Sequence, residues 1–140
     1  MVHVLKLCVG IRDIAHLREV QAARLLTNPP LRHLTRSGPR RVAEIVESGS
    51  IYWVISGAIL ARQRIIGIEP AQRENGTPCA ALLLDPQLVP VTGRPTKPFQ
   101  GWRYLEEAAA PPDLADMAAA EGADALPEDM RRALQALGLI

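Results

Sequence analysis

Residues 33–70, HLTRSGPRRVAEIVESGSIYWVISGAILARQRIIGIEP, carry a short arginine-bearing segment through a helix into two strongly β-prone runs. Ser50–Ser56 (SIYWVIS) is rich in β-branched and aromatic residues, so it reads as a strand with Ile51, Trp53 and Ile55 on one face. Gly57-Ala58 permits a tight reversal, and Ile59–Glu69 reads as a long strand paired antiparallel to the first. On it Arg62 and Arg64 share a face with Leu60, Ile66 and Ile68, with Gln63, Ile65 and Gly67 opposite. A face that changes from cationic to apolar midway runs from a rim into a core, or bends at a bulge. Upstream, Leu31–Arg36 is a short strand, Ser37-Gly38-Pro39 a turn, and Arg40–Glu47 a helix closed by Ser48-Gly49. Arg40 and Arg41 then sit at a helix start, where cations oppose the macrodipole and call for a carboxylate or a bound anion.

Working outward toward the N-terminus, VHVLKLC (residues 2–8) reads as a central strand with both faces largely buried. Asp13 is placed to cap a helix running to Thr27, and Asn28-Pro29-Pro30 stops it. Toward the C-terminus, Asn75-Gly76 marks a polar hairpin loop, Cys79–Leu84 and Leu88–Val91 are strands, and residues 92–98 are an extended, proline-punctuated segment. Phe99, Trp102 and Tyr104 then cluster in PFQGWRYL, residues 98–105, which reads as a plug on the sheet or as part of a stacking site. After Leu105 the composition turns to Ala, Asp, Glu and Pro. Residues 1–105 are therefore expected to form the folded domain and residues 106–140 an acidic tail. A short helix is expected within 113–120 and a better one at residues 127–137 (PEDMRRALQAL), with an edge for a protein partner.

With 140 residues and 48% hydrophobic content, one domain can bury a core without disulfides. Cys8 and Cys79 lie in apolar runs and read as buried reduced thiols. The longest apolar run, Ile51–Ala61, falls short of the roughly 20 residues a membrane helix needs, and no secretory signal is recognisable, so a cytoplasmic location is expected. Net charge is only +1, yet residues 1–105 hold 14 cations against 7 acids while residues 106–140 hold 2 against 8. Such asymmetry suits an anion-binding body, and the dominance of Arg suits planar bidentate contacts.

No GxSxG, P-loop, GxGxxG, HExxH or CxxC pattern occurs, and three scattered histidines suggest neither a metal site nor a cofactor. His33 with Glu44 or Glu47 and Cys8 is the one constellation that could assemble in space, so no catalytic residue is assigned. The candidates for binding RNA or single-stranded nucleic acid through phosphate are Arg36, Arg40, Arg62, Arg64 and Arg103, with Trp53 and Trp102 for base stacking. A small enzyme or metabolite-binding protein with an anion pocket near Arg36, Arg62 and Trp102 is the alternative.

The blocks at residues 33–70, LLLDPQLVPV and PFQGWRYL resemble a family of short alphaproteobacterial proteins known only as a domain of unknown function, over roughly residues 3–105. The order of elements is more weakly similar to PUA-like and EVE-like domains, small β-barrels that bind RNA or modified bases. The resemblance implies a small barrel, so that with the two helices and helical acidic tail read from the residues the expected fold is α+β, a mixed, mainly antiparallel PUA-like barrel. It also implies a non-catalytic nucleic-acid-binding module.

Overall fold

A computed structural model describes residues 1–116. The element order is β1 (Val2–Leu7), α1 (Ile14–Thr27), β2 (Arg32–Thr35), α2 (Val42–Ser48), β3 (Ser50–Ile55), β4 (Ala58–Gln72), β5 (Pro78–Leu84), β6 (Val89–Pro95) and β7 (Trp102–Glu106), with a 3₁₀ turn at Glu107–Ala109. The seven strands form one mixed, mainly antiparallel sheet in the order β2-β5-β4-β3-β1-β7, with β6 paired to β4 off that path. Among the described residues the only parallel pair is β1 with β3, joined through α1, β2 and α2. The fold is α+β, as expected, and β1 is a central strand, lying between β3 and β7.

The expected barrel is corrected: among the described residues the sheet is open, with β2 and β7 as its end strands. The physical reason lies in two places. β4 changes partners along its length, pairing with β3 and β6 over Ala58–Arg64 and with β5 from Ile65 on, where the register shifts between Ile65 and Gly67. And β2 is only four residues long, after which Ser37 to Arg41 lead into α2; this loop meets β7 through side chains and not through a ladder.

The β3–β4 hairpin turns on Ser56 (φ 51°) and Gly57 (φ 84°), one residue earlier than the sequence suggests. Two consecutive left-handed residues match the right-handed twist of a hairpin. A bulge between Trp53 and Val54 puts Ile59 on one side of the sheet and Ala61, Gln63 and Ile65 on the other, the side of Trp53, with Arg62 and Arg64 alternating away from them. Asp13 caps α1, its Oδ1 accepting the His16 amide at 2.7 Å. α2 starts two residues later than expected, so Arg41 is its N-cap and not its first turn; Arg41 pairs with Glu44 and, at 2.8 Å, with Glu106.

Two apolar clusters fill the two sides of the sheet. Leu17 of α1 and Ile45 of α2 pack with Val4, Ile51, Trp53, Ile65 and Leu82 in the larger one; Leu5, Tyr52, Val54, Ile59, Val91, Phe99 and Leu105 form the smaller. Phe99 and Leu105 thus plug the second face. Ala109 and Ala110 pack against that cluster, and Leu114 beyond them is buried. The tail helix expected at residues 127–137 and most of that within 113–120 lie outside the described residues. No helix among the described residues is long and apolar enough to cross a membrane.

Candidate functional site

The arginines singled out in the sequence have different fates. Arg62 forms a two-pronged ion pair with Asp113, and its Nη1 donates to Ser50 Oγ at 3.1 Å. Arg64 folds back onto the C-terminal end of α2, donating to Gly49 O at 2.7 Å and to Val46 O. It thereby satisfies carbonyls that a helix end leaves without partners. Arg103 lies over the Phe99 ring at 4.9 Å. Arg36 and Arg40 are exposed.

Of the tryptophans, Trp53 is only 4% exposed and its indole N–H donates to Gln63 Oε1 at 2.8 Å. Gln63 also exchanges two 2.7 Å bonds with Gln21 of α1 and donates to Asp85 O, which closes a fully satisfied buried network. Trp102 packs edge-on against Tyr104 and donates to Ser37 O at 2.8 Å, while Tyr104 Oη accepts the Arg40 and Arg41 amides. The fold therefore brings Arg36, Arg40 and Trp102 to one loop. Arg62, Arg64 and Trp53 serve internal contacts, and Arg103 alternates to the other side of β7 from Trp102 and Tyr104.

The buried histidine His3 is tied up in the same way. His3 Nδ1 accepts the Ser50 amide at 2.9 Å, so its Nε2 carries the proton toward Glu107. Both ring nitrogens are used.

His33 is different. It stands edge-on to Trp53, ring centroids 5.2 Å apart, and its Nε2 is buried without a hydrogen-bond partner among the described residues. It lines a cavity of about 170 Å³ bounded by the end of β1, by α1 and by the start of β2. The floor is Leu17, Leu31, Trp53 and Leu84; Lys6, Arg24 and Arg32 bring three cations from three elements, and among the described residues no Asp or Glu belongs to the lining. Arg32 donates to Asn28 Oδ1 at 3.2 Å, whereas Lys6 and Arg24 form no ion pair with a described residue.

Cys8 shares this wall, so Cys8 and His33 do come together, while Glu44 is bound to Arg41 and neither Glu44 nor Glu47 lines the cavity. Burial pushes the Cys8 thiol up to about 11 against the pull of Arg24 and Lys6. Burial, reinforced by Lys6, Arg24 and Arg73, pushes His33 down to about 4. At neutral pH the pair is a thiol beside a neutral imidazole, not an activated thiolate. Both cysteines are free and half-buried. Sequence reasoning missed Lys6, Arg24 and Arg32; the available signal was Lys6, a lone charge near the end of an otherwise apolar strand.

A family model described as a protein of unknown function, DUF1489, matches residues 4–140. The chain belongs to the DUF1489 family. The match reaches past Leu105, so the acidic segment is part of the DUF1489 unit. No curated protein and no solved structure matches the chain.

Proposed function

We propose that this protein binds a small anionic molecule in the cavity between β1, α1 and β2, as a binding module and not as an enzyme. One observation carries the reading: among the described residues, Lys6, Arg24 and Arg32 converge on a lining without a carboxylate, beside an imidazole nitrogen that lacks a partner. Buried polar atoms are otherwise paired as a rule, so an unpaired imidazole on a residue that lines a cavity marks a place for a ligand. The size sets a limit. An engineered cavity of about 150 Å³ holds benzene, so one of about 170 Å³ suits a phosphate or carboxylate on a body no larger than a ring. The apolar floor would take the body and the cations the charge. The protonated thiol and neutral imidazole supply no ready nucleophile and base, which favours binding over catalysis.

Isothermal titration with benzoate, phenyl phosphate and inorganic phosphate tests this. Binding that Arg24→Gln and Lys6→Met each weaken about fivefold or more is the expected result, since charged hydrogen bonds contribute roughly 1.5–3 kcal/mol. Millimolar anions that do not bind, or bind equally to both variants, would sink the reading.

Single-stranded RNA is the second reading, and it is favoured by a specific surface: exposed Arg36 and Arg40 beside the Trp102–Tyr104 pair. Fluorescence anisotropy at about 50 and 200 mM salt would detect phosphate contacts, which lose orders of magnitude in affinity over that range. Arg36→Ala and Arg40→Ala would flatten the salt response if this surface binds RNA.

A further inference from the structure

We propose that the group taken by this cavity is a doubly charged oxyanion, phosphoryl or sulfuryl, and that His33 takes up a proton as it enters. The inference rests on the anion-binding reading above and adds the charge of the ligand and its coupling to pH. Four basic side chains from three elements line the site: Lys6 of β1, Arg24 of α1, and Arg32 and His33 of β2. A singly charged ligand would leave this wall largely uncompensated, whereas a dianion has charge and lone pairs for all four.

His33 is held ready for that role. Its ring is fixed edge-on against Trp53, and neither ring nitrogen bonds a described residue, so both are free to donate as imidazolium. The groups around it are Lys6 on β1, Cys8 just beyond, Arg24 on α1, its neighbour Arg32, and Arg73 and Glu74 in the β4–β5 connection. Cations dominate this set, which with burial holds the empty-site imidazole neutral down to about pH 4. The Cys8 thiol, at about 11, releases no proton in the working range. An oxyanion beside the imidazole reverses the field and favours the charged form.

The direction of the linkage follows. His33 has a low pKa in the empty cavity and a raised one in the filled cavity, so binding takes up a proton between the two values. Affinity rises as pH falls through the filled-state value and levels off near about 4, where the empty site is itself protonated. One proton gives at most about tenfold per pH unit.

Inorganic sulfate is the probe, because it stays doubly charged throughout and every proton exchanged belongs to the protein. Titrations of the full chain between about pH 8 and pH 5.5, in buffers of different ionisation enthalpy, should show tightening with uptake approaching one proton. The His33 ring should shift to its imidazolium signature in NMR spectra at saturating sulfate. In His33→Phe, which keeps a ring beside Trp53, sulfate should bind more weakly and without pH dependence. Sulfate that binds with flat affinity while the His33 ring stays neutral would overturn the proton coupling and leave the anion site intact. Benzoate binding tighter than sulfate at about pH 5.5 would overturn the dianion assignment. If sulfate, phosphate, phenyl phosphate and benzoate all fail to bind, both this inference and the reading beneath it fall.

Discussion

Arg62 on β4 and Asp113, seven residues past the end of β7, hold each other through two 2.7 Å bonds, Nε to Oδ1 and Nη2 to Oδ2. Both side chains are about three-quarters buried, so the pair is shielded where an exposed one would be weak. It fixes the chain that crosses the second face, where the Thr92 amide donates to Pro112 O at 3.0 Å and Leu114 is 1% exposed. Asp113→Ala should therefore lower stability by about 1–3 kcal/mol and speed hydrogen exchange at the Thr92 amide. Arg62→Ala should cost a similar amount, and the double variant less than the sum. Additive losses in chemical denaturation would show that the two side chains act separately.

That pair also shows what the sequence hides. The β3–β4 hairpin was legible because SIYWVIS carries its own strand preference and a turn follows, and Asp13 was legible as a cap because capping is local. The partner of Arg62 stands 51 positions away in a segment whose composition resembles a linker. Arg64 binds backbone carbonyls, which have no side-chain identity to read. An exposed arginine and one spent on internal bonds look the same in a sequence, and so do a tryptophan offered for stacking and one, like Trp53, bonded to a buried Gln63. The cavity draws on Lys6, Arg24 and His33 from three separated segments. No local pattern announces it. The barrel failed as an expectation because closure depends on which neighbour the two ends of a long strand choose.

Gln63 uses its side chain for four bonds: to Gln21 twice, to the Trp53 indole and to Asp85 O. Gln63→Leu leaves the Gln21 amide and the Trp53 N–H unpaired in the interior, at about 1–3 kcal/mol for each orphaned group. Gln21→Leu should be milder, since Gln63 keeps Trp53 and Asp85. Replacing both by Leu removes the mismatch between them, so the double variant should be more stable than Gln63→Leu alone. Thermal melts of the four proteins check that order.

Gly49, between α2 and β3, is required for space and not for its backbone angle, which is an ordinary −81°. A Cβ there would run into the Val2 carbonyl and lie 2.7 Å from the Ile45 carbonyl, both fixed backbone atoms. The Gly49 carbonyl meanwhile accepts from the Ile65 amide at 3.1 Å and from Arg64. Gly49→Ala should therefore destabilise at the upper end of the about 1–3 kcal/mol typical of overpacking. An alanine variant with an unchanged denaturation midpoint would contradict the close approach.

Cys8 offers a direct reading of the field in the cavity. Only the thiolate is alkylated, and burial moves this thiol from about 9 to about 11. Iodoacetamide labelling of Cys8, followed by peptide mass spectrometry, should be slow at neutral pH. Its rate should climb about tenfold per pH unit until close to 11, where an ordinary thiol would level off near 9. Arg24 and Lys6 pull the thiol down against the larger effect of burial. Arg24→Gln removes one of those cations, so the thiol should rise further and label more slowly at any given pH below the plateau. Faster labelling in that variant would mean that Arg24 acts on Cys8 as a steric cover and not as a charge, and the cationic wall on which anion binding depends would lose its best internal reporter.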